Sequence, residues 1–511
     1  LERFKPLFGE GGFRRLLAGG ASFSNCRYVH FPTFTAPGHG TVLTGTTPSN
    51  NGIIGNWWFD RLSGEFVTSV SDKSRKLLGV PTGPAASPHR LIGTTLGDEL
   101  RMSSNNRSKV IGVAFKDRSA ILPAGKDANL AVWFDAASGL FVTSDYYADR
   151  LPDWVEKINA TKPADKFFGA RWERILPEKA YETVAVADDQ PGEDLSPGGT
   201  RTFPHIITGG LDKPGPRFYN ALEDSPFASE MLLDLAKAAI DNEKLGVDDE
   251  PDILSIGFSA NDEAGHLYGP HSQEVADLTL RTDRLLASLL GFLDSRIGRQ
   301  NYLVVVTADH GVAPTPEYAT DHKLNGQRIS PDTVRQAIEH QLSARFGEGK
   351  WIEEQAARLV ADLSVYLNRS TITGKGLDPA VVERAAGDAA LSIPGVYRAY
   401  TRTEMLSGRF PKDLIGTLVA NGFHPERSPD VILIPEPMSI VWANKGGTTH
   451  GSPYSYDTHV PLIFYGSRVK PGVYSTVCSP CDIAPTLAVL FGVGLPTVST
   501  GQVLQQVWNG L

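Results

Sequence analysis

The sequence predicts an α/β protein, layered α/β/α around a mostly parallel central sheet, with two inserted segments at one edge. Short near-continuous apolar runs carry the first half of that expectation. They are Lys109–Phe115, Asp252–Phe258, Tyr302–Thr307, Val431–Ile434 and Pro461–Tyr465. Runs of this length without polar alternation suit strands covered on both faces, as in a parallel sheet. Helical patterns between them carry the second half. In Ser272–Arg296, Val275, Leu278, Leu285, Leu286, Leu289 and Leu293 recur at helical spacing. Glu230–Lys244 reads the same way, as does Pro331–Phe346, where Pro331 stands at the first-turn position. Alternating strands and helices define the layered class, in which ligands gather at the carboxyl ends of the strands.

Two stretches interrupt the alternation. Residues 126–225 are rich in Pro, Gly, Asp and aromatics, and residues 315–445 carry helices of their own. Both read as insertions shaping the mouth of a site within one catalytic domain spanning 1–511. The chain of 511 residues is 41% hydrophobic and 21% charged, ordinary values for a globular protein. Its net charge of −9, with no long basic run, argues against a nucleic-acid surface. No run of about 18 apolar residues offers a membrane span. The chain opens at Leu1 in a helix-like Leu-Glu-Arg-Phe, which suggests a trimmed start. A monomer is expected. Cys26, Cys478 and Cys481 are too few for a disulfide framework. Cys478 and Cys481 read equally well as a local disulfide or as two small half-buried thiols.

Three polar clusters follow the apolar runs or precede one. Asp262 and His266 lie just after the second run, and Asp309 and His310 just after the third. His450, Asp457 and His459 lead into the last. An isolated Asp-His pair after a strand is more often a hydrogen-bonded turn than a ligand pair. Three such clusters, each beside a strand end, outweigh that reading. Zinc takes imidazole nitrogen and carboxylate oxygen, and paired ions clamp a phosphoryl displacement. Asp262, His266 and His459 are expected to form one site. Asp309 and His310 are expected to form the other, with Thr35 adding an oxygen. His450 is left open as an outer group, and His271, His322, His340 and His424 as surface or structural histidines.

Thr35 follows a strand-like Tyr28–Phe31 and precedes Pro37, which introduces a short helix. A hydroxyl at a helix N-terminus faces unpaired amides that favour an anion. For a lone threonine, a helix cap is the better reading. The surrounding sequence changes the balance. The stretches PTFTAPGH and TGTTPSNNGIIGN, the segment SANDEAGHLYGP, TADHG and PYSYDTHVPLIFYG resemble the alkaline phosphatase superfamily. Within it they are similar to the type I phosphodiesterase/nucleotide pyrophosphatase branch and to its phosphate-irrepressible periplasmic alkaline phosphatases.

The resemblance implies Thr35 as a nucleophile that is transiently phosphorylated, Asn56 on a phosphoryl oxygen, and two zinc ions on the ligands named above. It also places the family's Lys-x-Arg on Lys116 and Arg118. Independently, ammonium and guanidinium groups suit the dianion of a phosphate monoester. The family's second zinc site takes a further aspartate from a strand preceding Leu1, and nothing in the chain matches it. One sheet edge is therefore expected to lack a strand. The expected reaction is zinc-dependent hydrolysis of phosphate monoesters with broad specificity, in a periplasmic or secreted location. Its rivals are a phosphodiesterase with the same metal core, for which Trp57 and Trp58 offer stacking surfaces, and a non-catalytic phosphate-ester binder. A sulfatase is disfavoured, because no Cys/Ser-x-Pro-x-Arg segment is present.

Overall fold

The structure is a computed structural model that describes residues 1–196 and 198–508. Its main strands are β1 (Ala21–Phe23), β2 (Val110–Ala114), β3 (Leu130–Asp135), β4 (Leu140–Ser144), β5 (Ile253–Gly257), β6 (Leu303–Thr307), β7 (Leu462–Gly466) and β8 (Gly472–Tyr474). The helices that bear on the site are α1 (Thr35–Thr44), α2 (Asp117–Ala124), α3 (Pro226–Asn242), α4 (Ala260–Tyr268) and α5 (Gln273–Arg296).

The strands form two sheets. In one, β2 lies between β5 and β3 and is parallel to both, while β4 returns antiparallel to β3. In the other, the order is β6-β7-β1-β8, and β7 runs antiparallel to both its neighbours. Parallel pairing is thus centred on β2, whose five residues are all buried as their apolar run requires. The run Pro461–Tyr465 is a strand of the opposite direction. It is entered from the long loop holding His450, not through a helical crossover, and apolar periodicity carries no direction. Val431–Pro435 belongs to a separate small sheet with Ser364–Val365 and Val396–Thr401. Helices of the 315–445 stretch cover it, and Val334, Ile338, Trp351 and Val431 share a core there. In the other interrupting stretch, β3 and β4 join the main sheet and only the later part stands outside it.

Tyr28–Phe31 is not a strand. It is extended chain held by single bonds, with the Tyr28 N–H donating to Thr458 O (2.8 Å) and the Phe31 N–H to Leu418 O (2.9 Å). β5 and β6 end their sheets, and their apolar side chains are largely half-buried.

α5 runs from Ser272, whose hydroxyl accepts the Val275 N–H, and buries Leu278, Leu286 and Leu289. It also buries Asp283, which accepts the Gly9 N–H (2.8 Å) and the Phe13 N–H (2.6 Å). Gly12 makes this docking possible, because a Cβ there would lie 2.1 Å from Asp283 O. Removing the carboxylate leaves two amides without partners. Asp283→Ala is expected to cost about 3 kcal/mol in chemical denaturation and to loosen the first twenty residues to proteolysis.

Candidate active site

Lys116, Asp262, Asp309 and His310 sit just beyond strand ends, and Thr35 sits where extended chain gives way to a helix. Thr35 is the first residue of α1, a helix whose N-cap, Phe34, supplies no side-chain acceptor. Among the first amides of α1 the Thr35 N–H remains available to an anion, since Pro37 has no N–H and the Gly38 N–H donates to Phe34 O (3.0 Å). The Ala36 N–H donates to Asn56 Oδ1 at 2.8 Å. That bond fixes the Asn56 amide and leaves its Nδ2 donors free beside Thr35. Thr35 itself is buried, at 3% exposure. α1 packs closely on the loop after β6, since a Cβ on Gly38 would meet Asp309 O at 2.3 Å.

Asp262, in the first turn of α4, is the focus of the site. Three imidazoles aim Nε2 at its Oδ1: His266 at 3.7 Å, His310 at 3.8 Å and His450 at 3.6 Å. Each has its Nδ1 tied to a backbone carbonyl, His266 to Thr448 O (2.9 Å), His310 to Gly311 O (2.8 Å) and His450 to Thr33 O (2.8 Å). An Nδ1–H that donates to a carbonyl leaves the lone pair on Nε2, the tautomer a metal requires. Burial holds His450 neutral, with the neighbouring His310 adding to the effect. The His310 Nε2 is buried and has no hydrogen-bond partner. An acceptor left bare among carboxylate oxygens, in a protein whose buried polar atoms are otherwise mostly paired, fits a bound cation. Donor atoms of Asp262, His266 and His450 lie within 4.8 Å of one another.

The second cluster adjoins the first. Asp309 Oδ2 lies 3.4 Å from His310 Nε2 and 3.6 Å from His39 Nε2. His39 stands four residues after Thr35 on the same face of α1, a relation its helical spacing could have revealed. Burial pushes its pKa down to about 4, so it too is neutral near pH 7.

Lys116 caps α2 and places Nζ 2.6 Å from Asp262 Oδ2 and 2.6 Å from Glu263 Oε1. The Asp262 carboxylate is thus divided, Oδ1 toward the imidazoles and Oδ2 toward Lys116. Burial alone would lower the Lys116 pKa, but Asp262 and Glu263 outweigh it and hold the ammonium charged. For Asp262, burial works to raise the pKa, and Lys116 with the histidines brings it well below the usual range. Arg118, two residues on, has a buried Nε without a partner. Glu263 gave no signal in the sequence beyond its place next to Asp262.

One expected ligand is elsewhere. His459 is exposed, and its Nε2 contacts Ser24 O at 3.0 Å, away from the three imidazoles. His450, left open above, lies beside Asp262 with His266 and His310 instead. The loop between them explains the exchange. Thr33 Oγ1 donates to Ser452 O, the Ser452 N–H donates to Asp457 Oδ2, and the closed turn carries His459 to the outside. Trp58 is core, whereas Trp57 is 37% exposed beside Asn56 and donates its indole N–H to Asp362.

The sequence model of the type I phosphodiesterase/nucleotide pyrophosphatase family matches residues 1–458, and the chain belongs to that family. Within it the chain is an enzyme of the alkaline phosphatase kind. It is 36% identical over 508 residues to alkaline phosphatase PhoV of Synechococcus elongatus, covering 99% of this chain and 89% of that protein. It is 34% identical over 510 residues to alkaline phosphatase PafA of Elizabethkingia meningoseptica, covering 99% and 91%. The crystal structure of wild-type PafA superposes with a TM-score of 0.92 at 33% identity, covering 99% of this chain and 96% of that one. The fold is therefore alkaline-phosphatase-like, as the sequence implied. Among the described residues, no helix is long and apolar enough to cross a membrane.

Proposed function

We propose that the chain hydrolyses phosphate monoesters in a zinc-dependent reaction that passes through phosphorylated Thr35. The observation that carries this reading is the convergence of three Nε2 lone pairs on Asp262 Oδ1, next to Asp309 and the N-terminus of the Thr35 helix. Asp262, His266 and His450 would hold one zinc, and Asp309 and His310, with Thr35, would contribute to a second. When bound, the ions supply Lewis-acid stabilisation of charge on the entering and leaving oxygens.

The chain's own groups do the rest. Thr35 Oγ forms a bond to phosphorus as the ester's alcohol oxygen departs. Water then breaks the threonine–phosphorus link, restoring the hydroxyl and releasing phosphate. The Asn56 Nδ2 donors and the Thr35 N–H would face the phosphoryl oxygens, where donors fixed in advance stabilise developing charge. Lys116 and Arg118 take the remaining charge of the dianion. Lys116 is already fixed in place by Asp262 and Glu263, so little side-chain freedom is lost when substrate arrives. A broad range of alcohols, in a periplasmic or secreted setting, fits a site whose selectivity is concentrated on the phosphoryl group.

The clamp favours monoesters over diesters, because a diester presents one negative charge where a monoester presents two. Each charge-assisted bond is worth roughly 1.5–3 kcal/mol, or about one to two decades in rate. Lys116→Ala and Arg118→Ala are each expected to lower kcat/KM for p-nitrophenyl phosphate about 10–100-fold. Turnover of bis-p-nitrophenyl phosphate should change far less. Equal losses on both substrates would remove the clamp from the account.

A further inference from the structure

We propose that Cys26 and Cys478 form a disulfide when the chain folds under oxidising conditions, and that Cys481 stays a free thiol. The chain has three cysteines, separated by hundreds of residues in one case, and all three are buried in the same region. Cys26 and Cys478 are directly opposed as parallel bridge partners. The Arg27 N–H donates to Cys478 O (2.9 Å) and the Cys478 N–H to Asn25 O (3.2 Å), so backbone bonds on both sides of Cys26 hold the register. Both side chains belong to the same buried cluster, with Phe23, Val460 and Leu462. Residues opposed on neighbouring extended segments stand roughly 5 Å apart, within the Cα separation that a disulfide spans.

Cys481 is held for a different purpose. Its N–H donates to Ser479 Oγ (3.3 Å), while the Ser479 N–H donates to Asp482 Oδ2 (2.8 Å). This capping pair starts the turn Pro480–Asp482 and commits it to the following helix, Ile483–Phe491. The Cys26–Cys478 link would tie the segment just after β8 to the chain that leads toward Thr35. β8 is an edge strand paired with β1 alone, so a covalent tie there has an evident structural use.

The chemistry is thiol–disulfide exchange with an oxidant such as oxidised glutathione. Each cysteine gives up its thiol proton, one S–S bond forms, and the two electrons reduce the oxidant to two glutathione thiols. Because both thiols are shielded from solvent, the bond forms during folding, before the region closes.

The test is to refold the full chain in a glutathione redox buffer, block free thiols in denaturant and map tryptic peptides without reduction. The expected result is one blocked thiol, with the peptide ending at Arg27 joined to the C-terminal peptide. The join should persist in Cys481→Ser and vanish in Cys478→Ser. Three blocked thiols in the wild-type chain would overturn the proposal. So would a link confined to the C-terminal peptide, or a join that survives Cys478→Ser.

Discussion

Thr35→Ala is expected to reduce phosphomonoesterase activity by about four orders of magnitude or more, the scale on which loss of a nucleophile acts. The position makes the residue hard to replace. Its hydroxyl stands at the first turn of α1, with the Ala36 N–H committed to Asn56 and Gly38 packed against the Asp309 carbonyl. No other hydroxyl occupies that helix start. The variant should fold normally and keep its zinc affinity at the Asp262 site, which takes nothing from Thr35. Rapid acid quenching during turnover should trap phosphate on Thr35 in the wild-type chain and on no residue in the variant. Thr35→Ser should retain part of the activity. Near-normal turnover by Thr35→Ala would mean that water attacks the ester directly and that Thr35 only starts a helix.

The second large effect separates two histidines that the sequence places nine residues apart. His450→Ala should weaken zinc binding at the Asp262 site by at least about 100-fold, beyond the range typical of residues that merely support a ligand. Activity at limiting zinc should fall with it. His459→Ala should leave zinc affinity unchanged, since its imidazole lies at the surface against Ser24 O. Competition with a chromogenic chelator measures both. Equal zinc affinities in His450→Ala and wild type would break the proposed ligand set.

This exchange marks where the sequence stopped being legible. The placement of Asp262, His266, Asp309 and His310 was readable because each follows an apolar run that ends at a sheet edge, and the strand fixes where the next residues emerge. His450 and His459 flank a loop, and no local pattern states which end of a loop turns inward. That was decided by the Thr33–Ser452 and Ser452–Asp457 bonds, made between groups up to 419 residues apart. The α/β layering was legible for the same reason as the placement of those strand-end residues. The direction of β7 and the separate sheet of Val431–Pro435 were not, because a strand covered on both faces reads alike whichever way it runs and whichever core covers it. Lys116 and Arg118 could be singled out by family resemblance, but the division of Asp262 between the imidazoles and Lys116 needed coordinates. Glu263 and His39 gave weaker signals still, one an acidic neighbour and the other a helical spacing.

Initial rates on p-nitrophenyl phosphate and bis-p-nitrophenyl phosphate, measured side by side on zinc-loaded protein at alkaline pH, test the central claim most directly. The account predicts the monoester to be turned over faster, with activity removed by chelation and restored by zinc. Faster turnover of the diester would contradict it and make the chain a phosphodiesterase built on the same ligands.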